Sequence, residues 1–315
     1  MPSMHPIRFG FQTAQQNVTW PELLALWQEL EQRGFDSGWN FDHFIPIFSD
    51  PAGPCLEAWT MLGALAAHTS RLRIGTMVTG NTYRHPAVLA KMATTIDVMS
   101  GGRLNFGLGA GWFELEHRAF DVAFPKINDR LHMLDEALDV IRLLWTERQP
   151  TYTGKYYQLQ DAYFAPKPLQ QPHPPIMIGA AGEKLALRIV AKHANMWNTL
   201  GSPEVFRQKI GVLQRHCLRL GRNVEEIEKS VLISLVLSED RGHVERVLQG
   251  TAARMNISPD EVRARSLAGT RAQVINQIEA FVEVGVTHFI LMLSAPYDHD
   301  ALRLFAEEVM PYFRR

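Results

Sequence analysis

Apolar positions along this chain change spacing in a repeating order. Short runs suited to buried strands alternate with stretches in which every third and fourth residue is apolar. The order is clearest between Arg71 and His117. Leu72, Ile74 and the Thr76–Val78 segment read as a strand that ends in a polar loop at residues 79–85. Beyond Pro86, Val88, Leu89, Met92, Ile96 and Met99 fall on one helical stripe, and Ser100-Gly101-Gly102 stops the helix. Residues 104–108 form the next strand. Strand, helix and strand in this succession predict parallel pairing.

The same alternation runs through most of the chain. Strands are predicted at 7–12, 35–40, 176–179, 195–199, 231–237 and 288–293. Helices are predicted from Pro21 through Arg33, and at 57–68, 128–145, 183–192, 204–220, 270–284 and 300–313. Residues 243–265 read as a helical region broken near Ser258-Pro259. The rhythm is interrupted at 152–160, a hairpin around Thr153-Gly154-Lys155, and at 165–175, an extended crossing with five prolines. A length of 315 residues would suit two domains of roughly 150 residues each, yet one α/β barrel fits it equally. No Pro/Gly/Ser-rich linker divides the chain. The expectation is one (β/α)8 TIM-barrel domain over 1–315, with an insertion at about 147–175 after the fourth βα unit.

Composition narrows the function classes. The chain is 46% hydrophobic and 21% charged, with a formal net charge of -1, and its basic residues are scattered. This points away from nucleic acid and membrane surfaces. No run approaches the ~18 apolar residues of a membrane span. The N-terminal segment lacks the basic and apolar regions of a signal peptide. Cys55 and Cys217 are the only cysteines, too few for a disulfide framework or a cysteine metal cluster. A cytoplasmic location is the expectation. No histidine pair has metal-ligand spacing, and no G-x-S-x-G elbow is present.

In a barrel of this kind, chemistry sits at the C-terminal ends of the strands. Asp42-His43 follows the second strand, and an imidazole there is suited to exchanging protons near neutral pH, with the neighbouring carboxylate able to orient it. Its alternative is a loop cap beside a histidine packed on Phe44. Thr76-Met77-Val78 is either an ordinary buried strand or a backbone wall against a flat ligand. Arg84 either meets an anion or is solvated. Gly107-Leu108-Gly109-Ala110-Gly111 lacks the dinucleotide spacing; its small residues either admit a ligand or pack the barrel. Gly179-Ala180-Ala181-Gly182-Glu183 is a small-residue turn into a helix, suited to binding phosphate. Glu114-Leu115-Glu116-His117 reads as the start of an exposed helix.

Taken together, five segments carry a resemblance: WNFDHF at 39–44, RLRIGTMV at 71–78, YRHPAVLA at 83–90, SGGRLNFGLGAGW at 100–112 and IMIGAAGE at 176–183. The chain resembles the luciferase-like monooxygenase superfamily over nearly its whole length, closest to the coenzyme F420-dependent oxidoreductases. The resemblance implies a TIM barrel that binds F420, or FMN as in sister groups. The ring would lie against Thr76, Met77, Val78, Gly109 and Gly111, with its phosphate near Gly179, Ala180, Ala181, Gly182 and Glu183. It implies that His43, with Asp42, serves proton transfer, and that a non-prolyl cis peptide falls at Met77-Val78. Phe44 and Trp112 would border the substrate.

In the sugar-phosphate dehydrogenases of this family a glutamate follows the glycine run; here that position is Trp112. A second polar catalytic group is therefore expected to be missing, which argues for a less polar or aromatic-compatible substrate. The leading expectation is hydride transfer between F420 and a small organic molecule. An FMN-dependent monooxygenase using O2 and flavin from a separate reductase is the alternative, and a flavin-binding protein without turnover a third. Relatives commonly form homodimers, and the resemblance implies one here.

Overall fold

The computed structural model describes residues 5–47 and 49–314. Eight parallel strands form a ring: β1 (Arg8–Thr13), β2 (Ser37–Asn40), β3 (Arg73–Thr76), β4 (Phe106–Gly109), β5 (Ile176–Gly179), β6 (Met196–Thr199), β7 (Glu228–Leu237) and β8 (His288–Leu293). β1 pairs with β8 from Arg8 opposite His288 to Thr13 opposite Leu293. Neighbouring pairs continue from β1 to β3 and from β4 to β8. The ring closes more thinly between β3 and β4. A single bridge joins Ile74 to Leu104, and a two-residue strand, Thr79–Gly80, pairs with the end of β4.

Alternation along each strand sends side chains to two cores. Inward positions supply a small luminal cluster of Trp39, Met77, Met177, Met196 and Ile290, joined by Val78 and Leu232. Outward positions pack against the helices and build the main core, which includes Phe9, Phe11, Trp27, Trp59, Phe106 and Trp145. The first helix, Trp20–Gln32, starts on a capping box between Thr19 and Glu22, so sequence and geometry agree about its onset.

Where element boundaries depart from the sequence pattern, backbone chemistry explains why. The third strand was expected to reach Val78, but regular pairing stops at Thr76, where the Met77-Val78 peptide is cis. The predicted last helix is divided into His299–Leu304, a π-type turn at Phe305–Val309 and Met310–Phe313. Pro311 has no N–H to donate back along an α-helix, and the helix widens just before it. The broken region ahead of β8 resolves into helices Arg241–Met255 and Pro259–Ala264, with Asn256 left-handed between them at φ 53° and Ser258 capping the second. An extra strand, Ser266–Gly269, extends the sheet beside the second half of β7. Within 147–175 the hairpin is present as Tyr152–Thr153 paired with Gln158–Leu159. Among the described residues, no helix is long and apolar enough to cross a membrane.

Candidate active site

The segments that follow β2, β3, β4 and β5 come together at the C-terminal end of the ring. Val78 is their meeting point. A Cβ on Gly109 would lie 2.7 Å from its Cγ2, and one on Gly179 would lie 2.9 Å away. The glycines of β4 and β5 therefore accommodate the Val78 side chain. The resemblance implied that Gly109 faces a ring and Gly179 a phosphate; in the structure both glycines make room for the Val78 side chain. The wall is held from behind, because the Gln12 side-chain amide donates to the Met77 carbonyl at 2.8 Å and the Met77 amide donates to Asn40 at 2.7 Å. Thr76 turns its hydroxyl to Thr79, 2.7 Å away, and Thr79 also accepts from the Trp59 indole. Gly111 has φ +76°, a left-handed turn that swings the chain from β4 into a helix at Glu114–Ala119.

That short helix brings Glu116 to His43. The carboxylate is fully buried and lies 2.6 Å from His43 Nδ1. It also accepts from the Phe44 backbone amide at 2.8 Å and from the Tyr83 hydroxyl. Burial alone would raise the pKa of this carboxyl; hydrogen bonds from His43, Tyr83 and Phe44 outweigh it and hold Glu116 below the ordinary glutamate range. Tyr83 is pushed the opposite way, first by burial and then by Glu116, so its phenol stays protonated.

Asp42 does not orient His43. Both of its oxygens accept from Arg84, at 2.6 and 3.0 Å, and Arg84 also donates to Glu57 at 2.5 Å. Arg84 is thus neither solvated nor open to an anion. Glu57 simultaneously caps the helix Ala58–His68, accepting from the Trp59 and Thr60 amides. The pair fastens the loop after β2 to the loop after β3, and His43 is carried on that fastening.

Aromatic rings surround His43. Phe41, Trp112 and Phe113 lie with ring centroids 5.1, 5.5 and 5.7 Å away, each near edge-to-face. Trp112 is 58% exposed, so it forms a rim rather than a floor. Phe44 packs on Tyr83 and Phe120. The turn at residues 179–183 lies after β5, and its helix begins only at Ala186, three residues later than expected. Lys209 donates to the Ala181 carbonyl at 2.6 Å, which places a cation beside this turn. Glu183 is engaged by Gln208 at 2.8 Å.

The model of one family, described as luciferase-like monooxygenase, matches residues 2–258. The chain belongs to that family. This luciferase-like protein is 27% identical over 335 residues to an F420-dependent glucose-6-phosphate dehydrogenase of Microbacterium testaceum, with 98% of each chain covered. A solved F420-dependent secondary alcohol dehydrogenase in complex with an F420–acetone adduct matches its fold with a TM-score of 0.86 at 22% identity, covering 99% of this chain and 100% of that one. Monooxygenase RslO1 from Streptomyces bottropensis matches with a TM-score of 0.83 at 23% identity, covering 98% and 100%.

Of the predicted residues, the luciferase-like fold brings His43, Met77, Val78, Gly109, Gly111 and Trp112 to one end of the barrel. Three residues outside that prediction are integral there: Glu116, Tyr83 and Arg84. Glu116 and His117 are both fully buried, against the exposed helix start expected. The missing second polar group is thereby corrected. Trp112 does occupy the position after the glycines, but a carboxylate four residues later reaches His43 instead. The signal available in the sequence was the pair Glu114 and Glu116. Two residues apart on a helix, they point to nearly opposite faces, so a helix packed on the barrel turns one of them toward it.

Proposed function

We propose that this protein is an F420-dependent oxidoreductase whose substrate is a small organic molecule, with His43 exchanging the proton that accompanies hydride transfer. The observation that carries the reading is the His43 imidazole, 9% exposed at its side chain, fixed on a buried carboxylate at the same end of the barrel as the Met77-Val78 segment. The family places the chain among flavin and deazaflavin enzymes. Relatives matched over nearly the whole of both chains are named for F420, which favours that cofactor over FMN.

The residues present fit such a group. Val78, backed by Gly109 and Gly179, offers a flat surface. A Cβ on Gly182 would meet only the Ala186 methyl, at 3.6 Å, so the turn is open, and Lys209 adds positive charge beside it for a phosphate. F420, when bound, supplies two-electron hydride chemistry; the protein supplies position and proton handling. Met77 and Val78 support one face. His43 takes or gives a proton at Nε2, and Phe41, Trp112 and Phe113 keep water away from it. Trp112 at the rim favours a substrate with apolar or aromatic surface over a sugar phosphate.

The test is titration of the purified protein with F420 and, separately, with FMN, followed by absorbance and fluorescence. Tight saturable binding of F420 alone supports the proposal. Tight binding of FMN alone would overturn it in favour of flavin monooxygenase chemistry, and binding of neither would leave no enzyme of this kind.

A further inference from the structure

We infer that Glu116 is a positioning residue that sets the tautomer of His43, and that Tyr83 and the Phe44 amide lock its carboxylate for that task. The inference rests on the proposed role of His43 in proton exchange. It adds the group that makes one particular nitrogen available.

The argument begins with what each atom can do. An ionised carboxylate only accepts hydrogen bonds. Glu116 is held in that form by three donors: His43 Nδ1 at 2.6 Å, the Phe44 amide at 2.8 Å and the Tyr83 hydroxyl. With an acceptor facing it at 2.6 Å, Nδ1 carries the hydrogen in both the neutral and the cationic imidazole. The neutral ring is consequently the Nδ1–H tautomer, and the lone pair sits on Nε2. Among the described residues Nε2 has no hydrogen-bond partner, yet it is not among the sealed, unsatisfied buried atoms. It is the nitrogen that meets the open side of the site.

Geometry also excludes the nearer carboxylate. Asp42 is adjacent in sequence, but its two oxygens are taken by Arg84 at 2.6 and 3.0 Å. The orienting acid thus comes from a different βα loop, 73 residues away in sequence. In the direction of substrate oxidation, a hydroxyl O–H bond breaks and its proton moves to His43 Nε2. F420, if held at the Met77-Val78 wall, would supply the acceptor for the hydrogen and electron pair of the adjacent C–H bond. Glu116 remains ionised throughout, facing an imidazolium after the transfer and a neutral ring before it. Tyr83 cannot replace it, because its hydroxyl is committed to the same carboxylate as a donor.

The experiment is nitrogen-15 NMR of the histidine rings in the full-length protein without added cofactor, with His43 assigned by loss of its signals in His43→Gln. At a pH where the ring is neutral, the wild type is expected to show the Nδ1–H form as the dominant species. Glu116→Gln is expected to lose that dominance, because its amide cannot accept from all three donors at once. Tyr83→Phe, which leaves the carboxylate in place, is expected to retain it. A wild-type His43 protonated at Nε2 would overturn the proposal, as would an unchanged tautomer in Glu116→Gln. Should Glu116→Gln fail to fold, the wild-type spectrum decides alone. These outcomes do not depend on which cofactor binds, so failure of the F420 assignment is separately visible in the titration.

Discussion

Val78 occupies the space in front of Gly109. Its Cγ2 lies 2.7 Å from where a Cβ on that glycine would sit. The two strands can hold the wall at this depth only while residue 109 has no side chain. Gly109→Ala must therefore push Val78 toward the ligand side. Overpacking of this kind costs about 1–3 kcal/mol of stability. The same displacement should weaken F420 binding about tenfold or more, equivalent to about 1.4 kcal/mol. Thermal melting and a spectral titration measure the two effects. An affinity equal to wild type would place the ring away from this wall.

The Asp42–Arg84 pair invites a double-mutant cycle. Its side chains are 0% and 13% exposed, so Asp42 without its partner would be a buried charge with no compensation. Arg84→Met should destabilise by roughly 3–5 kcal/mol, whereas Arg84→Met with Asp42→Leu should recover much of that loss. Urea denaturation of the four proteins gives the coupling directly. Equal destabilisation by the single and double variants would mean that the pair does not hold the two loops together.

The sequence pattern made the barrel legible because its information is periodic. A stripe such as Leu89, Ala93 and Ile96, buried on one face of Pro86–Met99, repeats at helical spacing, and the flanking strands are short apolar runs. Ser266–Gly269 escaped because four residues after a six-residue helix carry too little period to register, and the strand exists only because β7 is long enough to pair it. His43 was legible through its place after β2. Its partner was not, because Glu116 meets it across 73 residues of chain. Arg84 was obscure for a related reason: a lone arginine in a loop defaults to solvent, and only the fold brings Asp42 and Glu57 to it. Trp112 kept the position predicted for it, yet its expected consequence, the loss of a second polar group, did not follow once Glu116 was in place.

Away from the barrel mouth, Asp135 ties the helix Ile127–Thr146 to the helix Ala186–His193 by accepting from Lys192 at 2.8 Å and His193 at 2.7 Å. Burial works to raise its pKa, but hydrogen bonds from His193 and Lys192 prevail and hold it well below the usual aspartate range. The folded value lies below the unfolded one, so this contribution is complete above the unfolded value of about 3.9 and fades as pH falls toward the folded one. Asp135→Asn should therefore lower the melting temperature at pH 7 by a few degrees, with the gap from wild type narrowing below about pH 4. A gap that stays constant through that range would show that the carboxylate charge contributes nothing.

Cys55 offers an independent report on the charge of Glu116. Its thiol is pushed up to about 12, chiefly by burial and then by the negative charges of Glu116 and Asp42. The thiolate is the reactive form, so alkylation of Cys55 by iodoacetamide at pH 8 should run at least about a hundredfold slower than that of a free cysteine. Its rate should still be climbing at pH 10. Neutralising Glu116 removes one of the charges that oppose ionisation, while the Sγ contact to the His43 carbonyl at 3.5 Å is a backbone contact that the substitution leaves in place. Glu116→Gln should consequently accelerate the modification, whereas Tyr83→Phe, which keeps the carboxylate, should not. Equal rates in wild type and Glu116→Gln, measured by mass spectrometry of the Cys55 peptide, would mean that the residue beside His43 carries no charge in the folded protein.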